Sequence, residues 1–236
     1  MNLLQPQDRR SARPGDARAA VDARAALERV GVSQALVDAV VGRINALPLP
    51  PDAVAVDLGC GTGLALGSLF ASRAITAVGI DLSAAAVTHA ARHWPGPTWV
   101  VANADRRLPL LDGCVDVVVS LHARRNPEEA ARVLRPAGVL VIAVPAPDDL
   151  IELRTRVQGS GATRDRVSAL VAEHQSRFAL VEQFRVAHTC HLDREAQLAL
   201  LATTYRGARR SEAPYVEELT GTDVTLASDV CLFRQR

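Results

Sequence analysis

The sequence contains no lysine. All 27 of its basic residues are arginine, which a genome-wide compositional bias accounts for. Its four cysteines, Cys60, Cys114, Cys190 and Cys231, form no C-x-x-C pair, so their spacing gives no support to a structural zinc site. No run of 18 apolar residues occurs, and the first residues are polar and arginine-rich with no apolar leader segment. A soluble cytoplasmic protein with no membrane partner is therefore expected. A formal net charge of +1 argues against general electrostatic attraction to nucleic acid, though not against a local basic patch.

What the sequence does contain is enough apolar material for a core: 48% of its 236 residues are hydrophobic, which suits one α/β domain. Residues 1–14, with Pro6 and Pro14, read as a flexible arm. Residues 15–50 read as a helical cover. An alanine-rich helix is expected over 16–31 and a second after Ser33, where Leu36, Val37, Val40, Val41, Ile44 and Leu47 form one apolar stripe. Pro48, Pro50 and Pro51 stop it. Residues 51–236 read as the main domain. Strands are expected at 53–58, 75–80, 98–102, 115–120 and 138–144, with helices at 63–72, 83–93 and 126–134 between them. Short apolar strands with helical crossovers predict a mostly parallel sheet covered on both faces. Beyond residue 145 helices are expected at 147–156, 163–175 and 193–203, with strands at 178–188 and 224–233.

The most informative stretch runs from Val54 to Gly63. A buried strand ends at Asp57, and Gly59, Gly61 and Gly63 follow at alternate positions before a helix. Glycines there permit a tight turn and close approach of a ligand to backbone. Asp81 ends the second strand, where a carboxylate can accept both hydroxyls of a ribose or simply cap the helix near Ser83. A dinucleotide also uses this geometry, but the loop reads G-C-G-T-G rather than G-x-G-x-x-G. Asp57 would repel a pyrophosphate and suit an amine or a sulfonium.

The segment Asp57-Leu-Gly-Cys-Gly-Thr-Gly63 resembles motif I of the class I S-adenosylmethionine-dependent methyltransferases, and Gly79-Ile-Asp-Leu-Ser83 is similar to their ribose-binding acidic motif. Asp105-Arg-Arg-Leu-Pro-Leu110, Asp112-Gly-Cys-Val-Asp116 and Arg132-Val-Leu-Arg-Pro-Ala-Gly138 resemble later segments of the same fold, with Ala137 where a second glycine is usual. The resemblance implies a Rossmann-like α/β fold with a seven-stranded sheet, residues 51–236 as the methyltransferase domain, and S-adenosylmethionine as cofactor. It implies a cofactor site of Asp57, Gly59, Cys60, Gly61, Gly63, Asp81, Leu82 and Ser120, with Asn103, Ala104 or Asp105 near the adenine.

On the acceptor side the sequence reads Ser120-Leu-His-Ala-Arg-Arg-Asn-Pro127. His122 is a candidate to take a proton from a nucleophilic nitrogen or oxygen, or else a pocket wall. Arg124 or Arg125 is a candidate to hold an anionic or carbonyl-bearing acceptor, and Tyr205 with Arg206 to face the same pocket. No metal site is expected. His188 and Cys190 fall on one face of a strand and His191 on the other, with no fourth ligand evident, and His89 and His93 lack the glutamate of an H-E-x-x-H site. Trp99 is expected chiefly in the core.

Gly15-Asp16, Ala23-Arg24, the run from Ala143 to Leu153 and Thr203-Thr-Tyr-Arg-Gly207 resemble the catalytic part of the bacterial ribosomal RNA guanine-N1 methyltransferases of the large subunit, a family with macrolide-resistance members. That family carries a four-ligand zinc module ahead of its catalytic domain, and this sequence has no cysteine before Cys60. Together with the balanced charge, this points to methylation of nitrogen or oxygen on a small aromatic or heterocyclic acceptor. The alternative is ribosomal RNA guanine-N1 methylation, with Arg9, Arg10, Arg13, Arg18 and Arg24 as a basic arm or as a solvated N-terminus. A third reading is a non-methylating scaffold or cyclase. Residues 16–47 offer a surface for a possible homodimer.

Overall fold

The computed structural model describes residues 1–4, 15–158, 165–203 and 220–236. Two helices come first, α1 (Arg18–Arg29) and α2 (Gln34–Asn45). Then follow β1 (Val54–Leu58), α3 (Leu64–Ser72), β2 (Thr76–Asp81), α4 (Ala84–His93), β3 (Thr98–Val101), β4 (Val115–Leu121), α5 (Pro127–Val133) and β5 (Leu134–Pro145). The chain continues with α6 (Ile151–Gln158), α7 (Arg166–His174), β6 (Phe178–Leu192), α8 (Arg194–Thr203) and β7 (Thr222–Gln235). The seven strands lie in the order β3-β2-β1-β4-β5-β7-β6. β1 to β5 pair in parallel, and β7 runs antiparallel between β5 and β6. The chain moves outward from β1 to β3, then returns to start again beside β1 at β4. The carboxyl ends of β1 and β4 therefore bound the crevice where such sheets bind ligands.

Both faces of the sheet are buried, as its apolar strands require. On one face Val117, Val119, Val139 and Val141 pack with Val40, Ile44, Leu66 and Val87 of α2, α3 and α4. On the other, Val118, Leu140 and Ile142 pack with Ala130, Val133 and Leu170 of α5 and α7. A third cluster joins α1 to α8 and the start of β7 through Leu27, Leu200 and Val224. The apolar stripe of α2 is thus largely consumed inside the monomer. Trp99 is 5% exposed and lies in the core, its indole N–H donating to Trp94 O.

Local sequence sets the helix starts. Asn126 caps α5 by accepting from the N–H groups of Glu128 and Glu129, and Pro127 takes the first turn. Ser83 caps α4 through Ala86 N.

Several expectations shift. α6 begins at Ile151, not 147, because Pro147 to Leu150 form a turn in which Asp149 Oδ1 accepts from Ala227 N. α7 begins at Arg166, where Asp165 accepts from Ser168 N as its cap. β6 and β7 both extend beyond their expected ends. The outer strand tolerates polar side chains on its exposed positions, and His191 there pairs with Asp223 across 3.0 Å. Residues 1–4, read as the start of a loose arm, run beside β3, with Leu3 N donating to Val101 O.

Candidate functional site

The loop after β1 turns its own donors inward. Gly59 N and Cys60 N both donate to Ile80 O, Gly63 N donates to Cys60 O, and Gly61 N donates to Asp81 Oδ2 at 2.9 Å. With these N–H groups engaged, the turn is not built to cradle a pyrophosphate, which needs them pointing at the ligand. Gly59 (φ +74°) admits no side chain, since a Cβ would lie 2.3 Å from Ala123 Cβ. The loop therefore sits tightly against the residue following His122. The Cys60 thiol is buried, and that burial, followed by the charges of Asp57 and Asp81, raises its pKa well above the usual range.

Two carboxylates face the crevice. Asp57 is 3% exposed, and its Oδ1 makes no hydrogen bond. Burial, followed by repulsion from Asp81, pushes its pKa up to about 7. A buried, unpaired carboxylate is costly, and a cationic ligand would relieve it. Asp81 is half-buried, which raises its pKa, while the N–H groups of Ser83 (2.8 Å) and Gly61 act in the opposite sense. A carboxylate has about four lone-pair sites; two are taken here, and two remain for a pair of ribose hydroxyls. These features fit S-adenosylmethionine: Asp57 suits its positive amine or sulfonium, and Asp81 its ribose.

The other expected cofactor residues lie at or just beyond the carboxyl ends of β2, β3 and β4. Ser120 is fully buried at the end of β4, and its hydroxyl lacks a partner. Leu82 is half-buried beside Asp81. Beyond β3, Ala104 is buried, while Asn103 Oδ1 accepts from Asp105 N. Asp105 is exposed and meets Arg124 at 3.4 Å. Arg124 thereby reaches from the loop after β4 to the loop after β3. A separate groove of about 490 Å³, lined by residues 15–19 and 82–85, contains none of Asp57, Gly61 and His122. It adjoins the crevice, sharing Leu82 and Asp16 with its rim.

His122 stands at the acceptor side, with a positive φ of 54°. Its backbone N–H donates to Ala143 O, and its Nε2 lies 3.0 Å from Ser228 Oγ on β7. Desolvation, with repulsion from Arg24 and Arg166, pushes the imidazole pKa down to about 4. The residue is exposed at the surface, where water screens part of that push. The ring is neutral at physiological pH. Arg125 turns away from the crevice, donating to Ala123 O and pairing with Glu173. Tyr205 and Arg206 lie outside the described residues, as do Arg9, Arg10 and Arg13.

Sequence reasoning placed Arg24 in a surface arm. It reaches instead over the glycine loop: Nη1 lies 3.1 Å from the position a Gly61 Cβ would take, and Nη2 is 3.1 Å from Asp16 Oδ2. Arg18 stays at the surface beside Asp22. One turn beyond Arg24, Glu28 accepts from Thr62 Oγ1. Ser228 was also missed, since its place beside His122 comes from the long-range pairing of β5 with β7.

Residues 56–142 match the family model described as a methyltransferase domain. The chain is 36% identical over 180 residues to a 23S rRNA (guanine(748)-N(1))-methyltransferase of Streptomyces fradiae, covering 75% of this chain and 64% of that protein. It is 30% identical over 184 residues to a putative 23S rRNA (guanine-N(1)-)-methyltransferase of Bacillus subtilis, covering 75% and 65%. The chain thus spans just under two thirds of the length of these curated relatives. Among solved structures, a methyltransferase of Geobacter sulfurreducens in complex with S-adenosyl-L-homocysteine superposes with a TM-score of 0.55 at 17% identity, covering 85% of this chain and 90% of that one. The [4+2]-cyclase SpnF superposes with a TM-score of 0.58 at 20% identity, over 84% and 80%. The chain therefore has the fold of the class I S-adenosylmethionine-dependent methyltransferases and is related to the bacterial 23S rRNA guanine-N1 methyltransferases.

Proposed function

We propose that this protein transfers a methyl group from S-adenosylmethionine to N1 of a guanine in large-subunit ribosomal RNA. The observation that carries this reading is its kinship over three quarters of the chain with proteins named for that reaction. The near-neutral charge favours a second reading, a small aromatic or heterocyclic acceptor. Kinship supports the RNA reading more strongly. The exposure of His122, with the charges of Arg24 and Arg166 acting on it, also suits a polyanionic acceptor.

When bound, S-adenosylmethionine supplies an electrophilic methyl on a sulfonium sulfur. The rest of the work is positioning and proton movement. Guanine N1 carries a proton at neutral pH, and that proton must leave as the N–C bond forms. A neutral His122 can accept it at Nδ1 in the tautomer whose Nε2–H donates to Ser228 Oγ, a contact of 3.0 Å that a serine hydroxyl can make as donor or as acceptor. Asp57 and Asp81 hold the donor, and the close packing of Gly59 on Ala123 fixes the distance between the donor and acceptor sides.

The test is incubation with methyl-labelled cofactor and deproteinised ribosomal RNA, followed by nucleoside analysis. Label recovered as N1-methylguanosine from large-subunit RNA is expected. No label in the RNA, with label appearing in small molecules when a cell extract replaces the RNA, would sink the RNA reading in favour of the second.

A further inference from the structure

Four carboxylates gather around the glycine loop. Asp57 and Asp81 lie at the strand ends, and Asp16 and Glu28 belong to the segment that crosses above. Such a ring suits a sulfonium and an ammonium. It repels the third charge of S-adenosylmethionine, the carboxylate of its amino-acid moiety, so a cation is needed among the acids. Arg24 is placed to be that cation. Its Nη1 stands over Gly61, its Nη2 is braced by Asp16 at 3.1 Å, and its charge acts on Asp81, Glu28 and His122. The side chain is 34% exposed, so one edge of the guanidinium remains within reach of a ligand. A guanidinium has five donors in a planar fork, enough to hold Asp16 and a second carboxylate at once.

We propose that Arg24 forms the ion pair with the carboxylate of the donor's amino-acid moiety, with Asp16 bracing the guanidinium from the far side. α1 then supplies a cofactor-binding residue from its seat on the glycine loop. The assignment rests on the reading that the chain binds S-adenosylmethionine and is independent of which acceptor is methylated.

The experiment compares S-adenosylmethionine with its decarboxylated form by isothermal titration. Both ligands keep the adenosine, the sulfonium and the ammonium; only the first has the carboxylate. Wild-type protein should prefer the first, and Arg24→Gln should lower that preference by about 10- to 100-fold, the usual weight of a charge-assisted contact. Because both ligands are titrated into the same preparation, the ratio of their dissociation constants is unaffected by any fraction of misfolded variant. Arg24→Lys, which keeps the charge and loses the fork, should fall between the two. An unchanged ratio in Arg24→Gln, whether both affinities fall together or neither falls, overturns the assignment. If wild type binds neither ligand, the donor reading itself fails and takes the assignment with it.

Discussion

Thr62 Oγ1 donates to Glu28 Oε1 across 2.5 Å, fastening α1 to the middle of the glycine loop. Burial raises the pKa of Glu28, and the Thr62 hydroxyl acts against that rise. Thr62→Val keeps the shape and removes the donor, leaving a partly buried carboxylate unpaired. The expected cost is about 1–3 kcal/mol in chemical unfolding, with faster amide exchange in α1. An unchanged midpoint and unchanged exchange would show that the contact does not secure the helix.

Asp57 gives the site a signature in pH. Its folded pKa, about 7, lies above its unfolded value of 3.8, so the folded state holds more protons between those limits. Stability therefore declines as pH rises from about 4 to about 7. Asp57→Asn should remove that decline and stabilise the ligand-free protein at pH 8, by an amount on the order of a few kcal/mol. The same change should weaken donor binding, because it removes the charge that suits an amine or a sulfonium. Thermal melts across pH, with and without S-adenosylhomocysteine, read both effects. A variant less stable than wild type at pH 8 contradicts the assigned strain.

For His122 the sign is the reverse. Its pKa lies below the ordinary 6.5, near 4, so it stays neutral over the working range of such enzymes. Ring resonances of His122 should show no midpoint between pH 5.5 and 8 in NMR titrations, and the rate of methyl transfer should have no acid limb assignable to it. His122→Ala should leave donor affinity intact and slow transfer by about 10²–10⁴-fold, the usual worth of a positioned general base. Loss of donor affinity with an unchanged single-turnover rate would make His122 a wall of the crevice instead.

The loop, its acid and the parallel strands were legible because each is written locally. A short apolar run, alternate glycines and a carboxylate at a strand tip lie close together in sequence. Expected strand 53–58 and observed β1 (Val54–Leu58) differ by one residue at the start. Arg24 was not legible in the same way. Its neighbour Gly61 is far along the chain, and only the fold of α1 back over the loop separates it from Arg18, which stays at the surface. Ser228 meets His122 across 106 positions through the antiparallel insertion of β7, a pairing without a local signal. The late start of α6 has the same origin, since Asp149 is held by Ala227 of β7.

Asp81 bears on the donor site most directly. Its two oxygens each accept one backbone N–H, leaving a lone pair on each for the sugar. Asp81→Ala should therefore lower affinity for S-adenosylhomocysteine by about 10- to 100-fold, as measured by calorimetry on a variant that melts cooperatively. Retained affinity would remove the carboxylate from the ribose.

A crystal structure of the protein grown with S-adenosylhomocysteine decides the donor site at once. Both ribose hydroxyls should lie within hydrogen-bond reach of the Asp81 carboxylate, with the sulfur facing His122 across the ends of β1 and β4. A nucleoside bound elsewhere, or a sugar turned away from Asp81, would contradict the account.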